Sequence, residues 1–176
     1  MPNRPRDRDA GLFHVFTRCV YASPALYRDD VDRLEFIRFL ARTTAKSGWA
    51  CIGFCLMTTH YHLVVEVEAD VLPAAMHRLN LAYARTFNKR HGLKGRVQFR
   101  PYGALRIRGE GDLLTRYRYV VRNPVRAGLC AEAEAWEWSS FAGTLGGAAH
   151  GFIDDTRVTG LFSDLAELRA LVNESR

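Results

Sequence analysis

The chain has 176 residues with 25 Lys and Arg against 19 Asp and Glu, a formal net charge of +6, and 48% of its residues are apolar. That composition is of one folded domain with a core of its own and excludes wholesale disorder. No apolar run approaches the roughly 18–20 residues needed to cross a bilayer, and MPNRPRDRDA lacks the apolar stretch of a signal peptide, so a cytoplasmic protein without a membrane partner is expected.

Residues 1–10 read as a flexible N-terminus. From Gly11, GLFHVFTRCV alternates and is rich in aromatic and β-branched residues, which predicts a first strand. DDVDRLEFIRFLARTTAKSG then spaces Val31, Leu34, Phe36, Ile37 and Leu40 near helical period, opens acidic and closes on Gly48, a helix with both end signals. WACIGFCLM and THYHLVVEVEA are strands joined through Thr58 and Thr59 as a hairpin. Cys51 and Cys55 are expected on one face of the first of these. With Cys19 and Cys130 they form no CxxC pair and read as small apolar residues.

Residues 71–91 stripe Leu72, Met76, Leu79, Tyr83 and Phe87 along a second helix, with Pro73 in its first turn and Gly92 past its end. A Gly- and Lys-containing loop leads to a fourth strand, YGALRIR, and a third helix through DLLTRYRYVVR. The order β-α-β-β-α-β plus a helix predicts an α+β, ferredoxin-like (RRM-like) antiparallel sheet with two helices on one face. The folded domain would span 11–145. Beyond Gly128 the chain is irregular and Gly-rich, and 146–176 form an extension ending in a short helix.

The charge is unevenly placed. Residues 78–126 hold thirteen basic and two acidic side chains, and residues 127–176 three basic and eight acidic. Eleven of the thirteen are arginines, whose planar donor fork suits phosphate. A solvated helix face would mix signs, so the stretch points to a polyanion, with nucleic acid the first candidate. The acidic C-terminal region would either pack on the helices or fold over the basic site.

Four residues carry candidate chemistry. His60 and His62, two apart in a strand, project from one face and could share a metal ion, although such a pair also suits a half-exposed face. Tyr119 and Asn123 lie one turn apart on one helix face. Tyr119 reads either as a nucleophile or as a core aromatic. Asn123 before Pro124 also reads as the cap of a restarted helix that stops at Gly128. Tyr117 is about 200° around the helix from Tyr119 and would point elsewhere. No P-loop or GxGxxG is present, so no nucleotide cofactor is expected.

LMTTHYHLVVEV, RYVVRNPVRAGL, FHVFTR, LAYARTFNKRHGLKGRVQFRPY and WEWSSF together resemble, in order, segments of the single-tyrosine HUH transposases, specifically the REP-associated tyrosine transposases. The resemblance implies a nuclease and strand transferase on single-stranded and hairpin DNA through a 5′-phosphotyrosine. It implies Tyr119 as nucleophile, His60, His62 and Asn123 as ligands of Mg²⁺ or Mn²⁺, and no ATP. It places Arg78, Arg85, Lys89, Arg90, Lys94, Arg96, Arg100, Arg106, Arg108, Arg122 and Arg126 on DNA, with Tyr83, Phe99 or Tyr102 stacking on bases. Tyr61 departs from the smaller apolar residue usual there and is expected to affect the approach to the metal. The longer C-terminal region favours a monomer over a homodimer that exchanges the tyrosine helix. The alternatives are a host-adopted DNA- or RNA-hairpin-binding module without catalysis, and a metallohydrolase using only the two histidines.

Overall fold

The computed structural model describes residues 8–20, 25–93, 98–99 and 101–174, apart from the side chains of 18–20 and 98–99. Most of the expected flexible N-terminus lies outside these residues. Five antiparallel strands form the sheet: β1 (Gly11–Val20), β2 (Ala50–Leu56), β3 (His60–Val67), β4 (Gln98–Phe99) and β5 (Gly103–Ile107). The order is β2-β3-β1, with β5 and the two-residue β4 on the outer edge of β1. β4 and β5 behave as one interrupted strand, so the sheet keeps the ferredoxin-like order expected from the sequence.

Helices α1 (Asp30–Ser47) and α2 (Val71–Arg90) cover one face of the sheet. α1 starts where the Asp29 carboxylate accepts from the Asp32 backbone N–H at 3.1 Å and ends on Gly48 at φ 68°, the left-handed conformation glycine adopts without steric cost. Phe36, Ile37 and Leu40 are buried as the period predicts, but Val31 and Leu34 are about half exposed. The buried Asp32 carboxylate takes their place in ordering the helix start: it accepts from the Arg28 backbone N–H and from Arg90, and contacts His91 Nε2 at 3.0 Å, tying the start of α1 to the end of α2.

Helix α3 (Gly109–Val121) packs on the opposite face, against β2, β3 and β5. Leu113, Tyr117, Val120 and Val121 share a second core with Ile52, Cys55 and Val64. Residues after 145 contribute to it: Val158, Leu168 and Val172 are fully buried there. Two short helices, α5 (Phe141–Thr144) and α6 (Thr156–Thr159), and α7 (Leu165–Asn173) organise this region, where the sequence reads mostly irregular chain.

A register shift between Cys51 and Gly53 corrects the reading of the cysteines. The extra residue turns Cys51 into the core under α1 and α2 and leaves Cys55 in the core under α3, so the two thiols lie on opposite faces. The outer edge of β2 is covered by the WEWSSF segment. Leu56 N–H donates to the Trp138 carbonyl, Ser140 N–H to the Phe54 carbonyl, and the Trp136 indole N–H to the Leu56 carbonyl. An exposed edge of unpaired amides is thereby removed.

Candidate active site

The site forms where β1 and β3 pair beneath α3. Successive strand residues point to opposite faces, so Tyr61 turns into the helix-covered core while His60 and His62 face α3. Tyr61 is fully buried and its hydroxyl donates to Asn80 Oδ1 at 2.5 Å. It therefore affects the packing of α2 rather than the approach to the histidines, contrary to expectation. Thr59 Oγ1 lies 3.1 Å from His60 Nδ1, and the His60 and His62 rings are 5.0 Å apart at 88°.

Register brings in a histidine that the strand pattern alone does not single out. His14 pairs with Val64, and Phe16 pairs with His62, so His14 and His62 are diagonal neighbours on one face, within reach of long side chains. His14 Nε2 and His62 Nδ1 are 2.9 Å apart and form a hydrogen bond. Burial, aided by the Arg116 guanidinium, holds the His14 pKa down at about 4, so this imidazole is neutral at physiological pH. His14 Nδ1 is buried with no partner among the described residues.

Helix α3 supplies the lid. Tyr117 points into the core, where its hydroxyl hydrogen-bonds with Thr144 Oγ1 at 3.1 Å and burial raises its pKa. Tyr119, two residues on, is 38% exposed and faces the histidines. Its ring centroid lies 5.6 Å from those of both His14 and His62, and the Arg126 guanidinium sits over the ring at 5.1 Å. Tyr119, His14, His60 and His62 line one cavity of about 340 Å³, closed by Phe16, Thr17, Leu105 and Arg116.

Asn123 does not line this cavity. Helix α3 ends at Val121, and the chain restarts as α4 (Asn123–Arg126) and turns at Gly128, φ 70°. The Asn123 amide N–H donates to the Tyr119 carbonyl at 2.9 Å instead of capping the new helix by accepting. The donor set facing the cavity suits a cation held by two imidazoles with further positions open. With His62 Nδ1 engaged by His14, the nitrogen His62 would offer is Nε2. Among the described residues no group of three or more His, Cys, Asp and Glu side chains is placed to hold a metal.

The basic stretch is divided by the sheet. Arg78, Arg85, Lys89 and Arg90 are on α2, and Arg90 is ion-paired to Asp29 and Asp32 at 2.7 and 2.6 Å. Arg106 on β5 donates to the Ala10 carbonyl and lies over the Phe13 ring, while Arg108 precedes α3 and is exposed. Arg122 and Arg126 stand beside Tyr119 on the other side of the molecule. Lys94, Arg96 and Arg100 lie outside the described residues, as does the side chain of Phe99. Tyr83 is buried and its hydroxyl donates to the Leu26 carbonyl at 2.6 Å, so it is not available to stack on a base. Tyr102 is partly buried against the same core.

An antiparallel ferredoxin-like sheet with a histidine pair on one face and an exposed tyrosine on the helix across it defines an α+β protein that brings a phenol and imidazoles into one cavity. That fold is shared by a solved structure, the REP-associated tyrosine transposase bound to a REP hairpin, at 15% identity, with 88% of this chain and 90% of that chain covered and a TM-score of 0.68. No family model matches the chain, and no curated protein matches it. No helix among the described residues is long and apolar enough to cross a membrane.

Proposed function

We propose that the protein is a DNA-nicking and strand-transfer enzyme of the tyrosine transposase class, acting on single-stranded DNA beside a hairpin. The observation that carries this reading is the meeting of Tyr119, His60 and His62 in one cavity, in a fold shared with a transposase structure whose partner is a hairpin.

In the proposed reaction Tyr119 Oη attacks the scissile phosphorus in line. The new Oη–P bond forms as the P–O3′ bond breaks, the phenol gives up its proton, and the departing 3′ oxygen takes one up. The product is a 5′-phosphotyrosine and a free 3′-hydroxyl. Because the ester is conserved, a second 3′-hydroxyl can reverse the step and join strands without ATP. His60 and His62 would hold Mg²⁺ or Mn²⁺, which when bound supplies positive charge to a non-bridging phosphate oxygen. Asn123 stands off the cavity with its amide on the Tyr119 carbonyl and would have to turn away from it to add an oxygen ligand. Arg126 over the Tyr119 ring and Arg116 at the cavity wall place fixed positive charge where the phenolate and the anionic transition state need it. His14 holds the His62 ring through Nδ1.

Incubation with a labelled hairpin bearing a single-stranded extension, with Mg²⁺ or Mn²⁺, should give a denaturant-resistant protein–DNA adduct. Tyr119→Phe should lose the adduct while still binding DNA. An adduct that persists in that variant sinks the nucleophile assignment. The incomplete ligand set around His60 and His62 favours a second reading, hairpin binding without catalysis. Tight binding by the unaltered protein with no adduct in either metal would select it.

A further inference from the structure

The histidine cavity has two unlike kinds of wall. His60, His62 and Arg116 bring polar and charged groups to it, whereas Phe16, Leu105 and the Tyr119 ring bring apolar surface. The apolar wall is built on β5. Alternation along that strand puts Gly103, Leu105 and Ile107 on the face toward α3, and register sets Gly103 opposite Phe16 and Leu105 opposite His14. Because Gly103 has no Cβ, the Phe16 ring lies against the β5 backbone, where a Cβ would meet it at 2.4–2.9 Å. Ile107 is buried in the core beneath α3. Leu105, two residues earlier in the same row, escapes that cover and is 43% exposed. Apolar side chains scattered singly over a surface call for no explanation, and the exposed Val31, Leu34, Leu81, Leu129 and Leu165 do not line this cavity. Leu105 does, beside Tyr119. An exposed leucine holds apolar surface against water in the free protein and offers nothing to an anion, so it does not suit a pocket that receives a phosphodiester group alone. The chemistry that matches both kinds of wall at once is a nucleotide, an anionic phosphate carrying a base with a flat face that stacks on apolar and aromatic groups.

We propose that Phe16 and Leu105 form a nucleobase pocket, which takes the unpaired base of one of the two nucleotides joined to the phosphate that Tyr119 attacks. The inference rests on the proposed function and adds to it a means of placing the strand: the base packs on the β5 wall while its phosphate lies at the histidines and Tyr119. Neither a phenylalanine nor a leucine side chain has a hydrogen-bonding group, so the pair registers the presence of a base through contact area and not its identity through its edge.

The test is a cycle between protein and substrate, read as binding by the full-length protein in metal-free buffer. The probe is a labelled DNA hairpin with a single-stranded extension, through which an abasic site is moved one nucleotide at a time. The protein variant is Leu105→Thr, which keeps strand propensity at an exposed position. At one nucleotide the abasic site should weaken binding of the unaltered protein roughly tenfold. Leu105→Thr should weaken binding of the intact strand roughly fivefold, and by less than about twofold the strand that is abasic at that nucleotide, because the contact is already gone. Leu105→Phe, which enlarges the wall, should bind the intact strand more tightly than the unaltered protein does and gain nothing on the abasic one. With Mg²⁺ or Mn²⁺ added, the length of the fragment released as the Tyr119 adduct forms marks the scissile phosphate, and the coupled nucleotide should be one of the two joined to it. Losses from Leu105→Thr that are equal on intact and abasic strands at every position, or coupling at a nucleotide remote from the scissile phosphate, would overturn the pocket. If the unaltered protein forms the adduct and no position couples, only this inference falls. If it forms no adduct, the proposed function falls, and the pocket, which is defined by the scissile phosphate, falls with it.

Discussion

His14 shows how much of the site is decided one residue at a time. It is 3% exposed, bonded to His62 and packed edge-on to Tyr119, so it sets which His62 nitrogen is presented to the cavity. His14→Phe keeps the volume and removes the hydrogen bond. Leaving His62 Nδ1 buried without its partner is expected to cost about 1–3 kcal/mol in a denaturant melt. Mn²⁺ affinity measured by titration calorimetry should fall roughly 10- to 100-fold, the usual effect of losing the group that orients a ligating imidazole. Unchanged affinity would mean that β3 alone aims His62. Tyr119, His60 and His62 are legible in the sequence because their spacing carries the geometry: two apart in a strand, or two apart from a buried tyrosine on a helix. His14 is not, because only cross-strand register sets it diagonal to His62. The signal that the sequence does hold is its phase, since it shares a strand face with Leu12 and Phe16.

Among the elements, β5 controls the site through what it lacks. Gly103 pairs with Phe16, and a Cβ there would meet the Phe16 ring at 2.4–2.9 Å. Phe16 is a wall of the histidine cavity, 5.4 Å from the His14 ring and 6.2 Å from that of His62. Gly103→Ala must turn that ring, with an expected destabilisation of about 1–3 kcal/mol and a fall in Tm of roughly 2–4 °C per kcal/mol. If the clash is the cause, Phe16→Leu should relieve it, and the double variant should be more stable than the sum of the two single effects predicts. Most elements are readable from period and end signals. The bulge in β2 is not, because one inserted residue in the all-apolar run ACIGFCL leaves no trace in an apolar pattern. Its cause is visible in three dimensions: a Cβ on Gly53 would come within 2.8 Å of the Tyr117 ring, so the strand approaches α3 closely there. The WEWSSF segment carries no strand or helix period because its role is to satisfy the edge of β2 through backbone groups.

For the molecule as a whole, the net charge of +6 conceals two basic regions on opposite sides of one sheet, one on α2 and one around Tyr119. No period or count divides them, since α2 and α3 are told apart as to side only by the order of the strands. Helix α3 is held between that sheet and the C-terminal part of the chain: Phe141, Val158, Leu168 and Val172 share its core, and the Glu174 carbonyl accepts from Arg118 near its end and from Arg122 just past it. To lend its tyrosine to a second copy, a molecule would have to expose all four of those buried side chains at once. On the proposed function, Tyr119 and the histidines of one site would then come from the same polypeptide, and each copy is expected to act in cis. Mixing Tyr119→Phe protein with His62→Ala protein should restore no adduct formation, and recovered activity in the mixture would show that helices are exchanged after all.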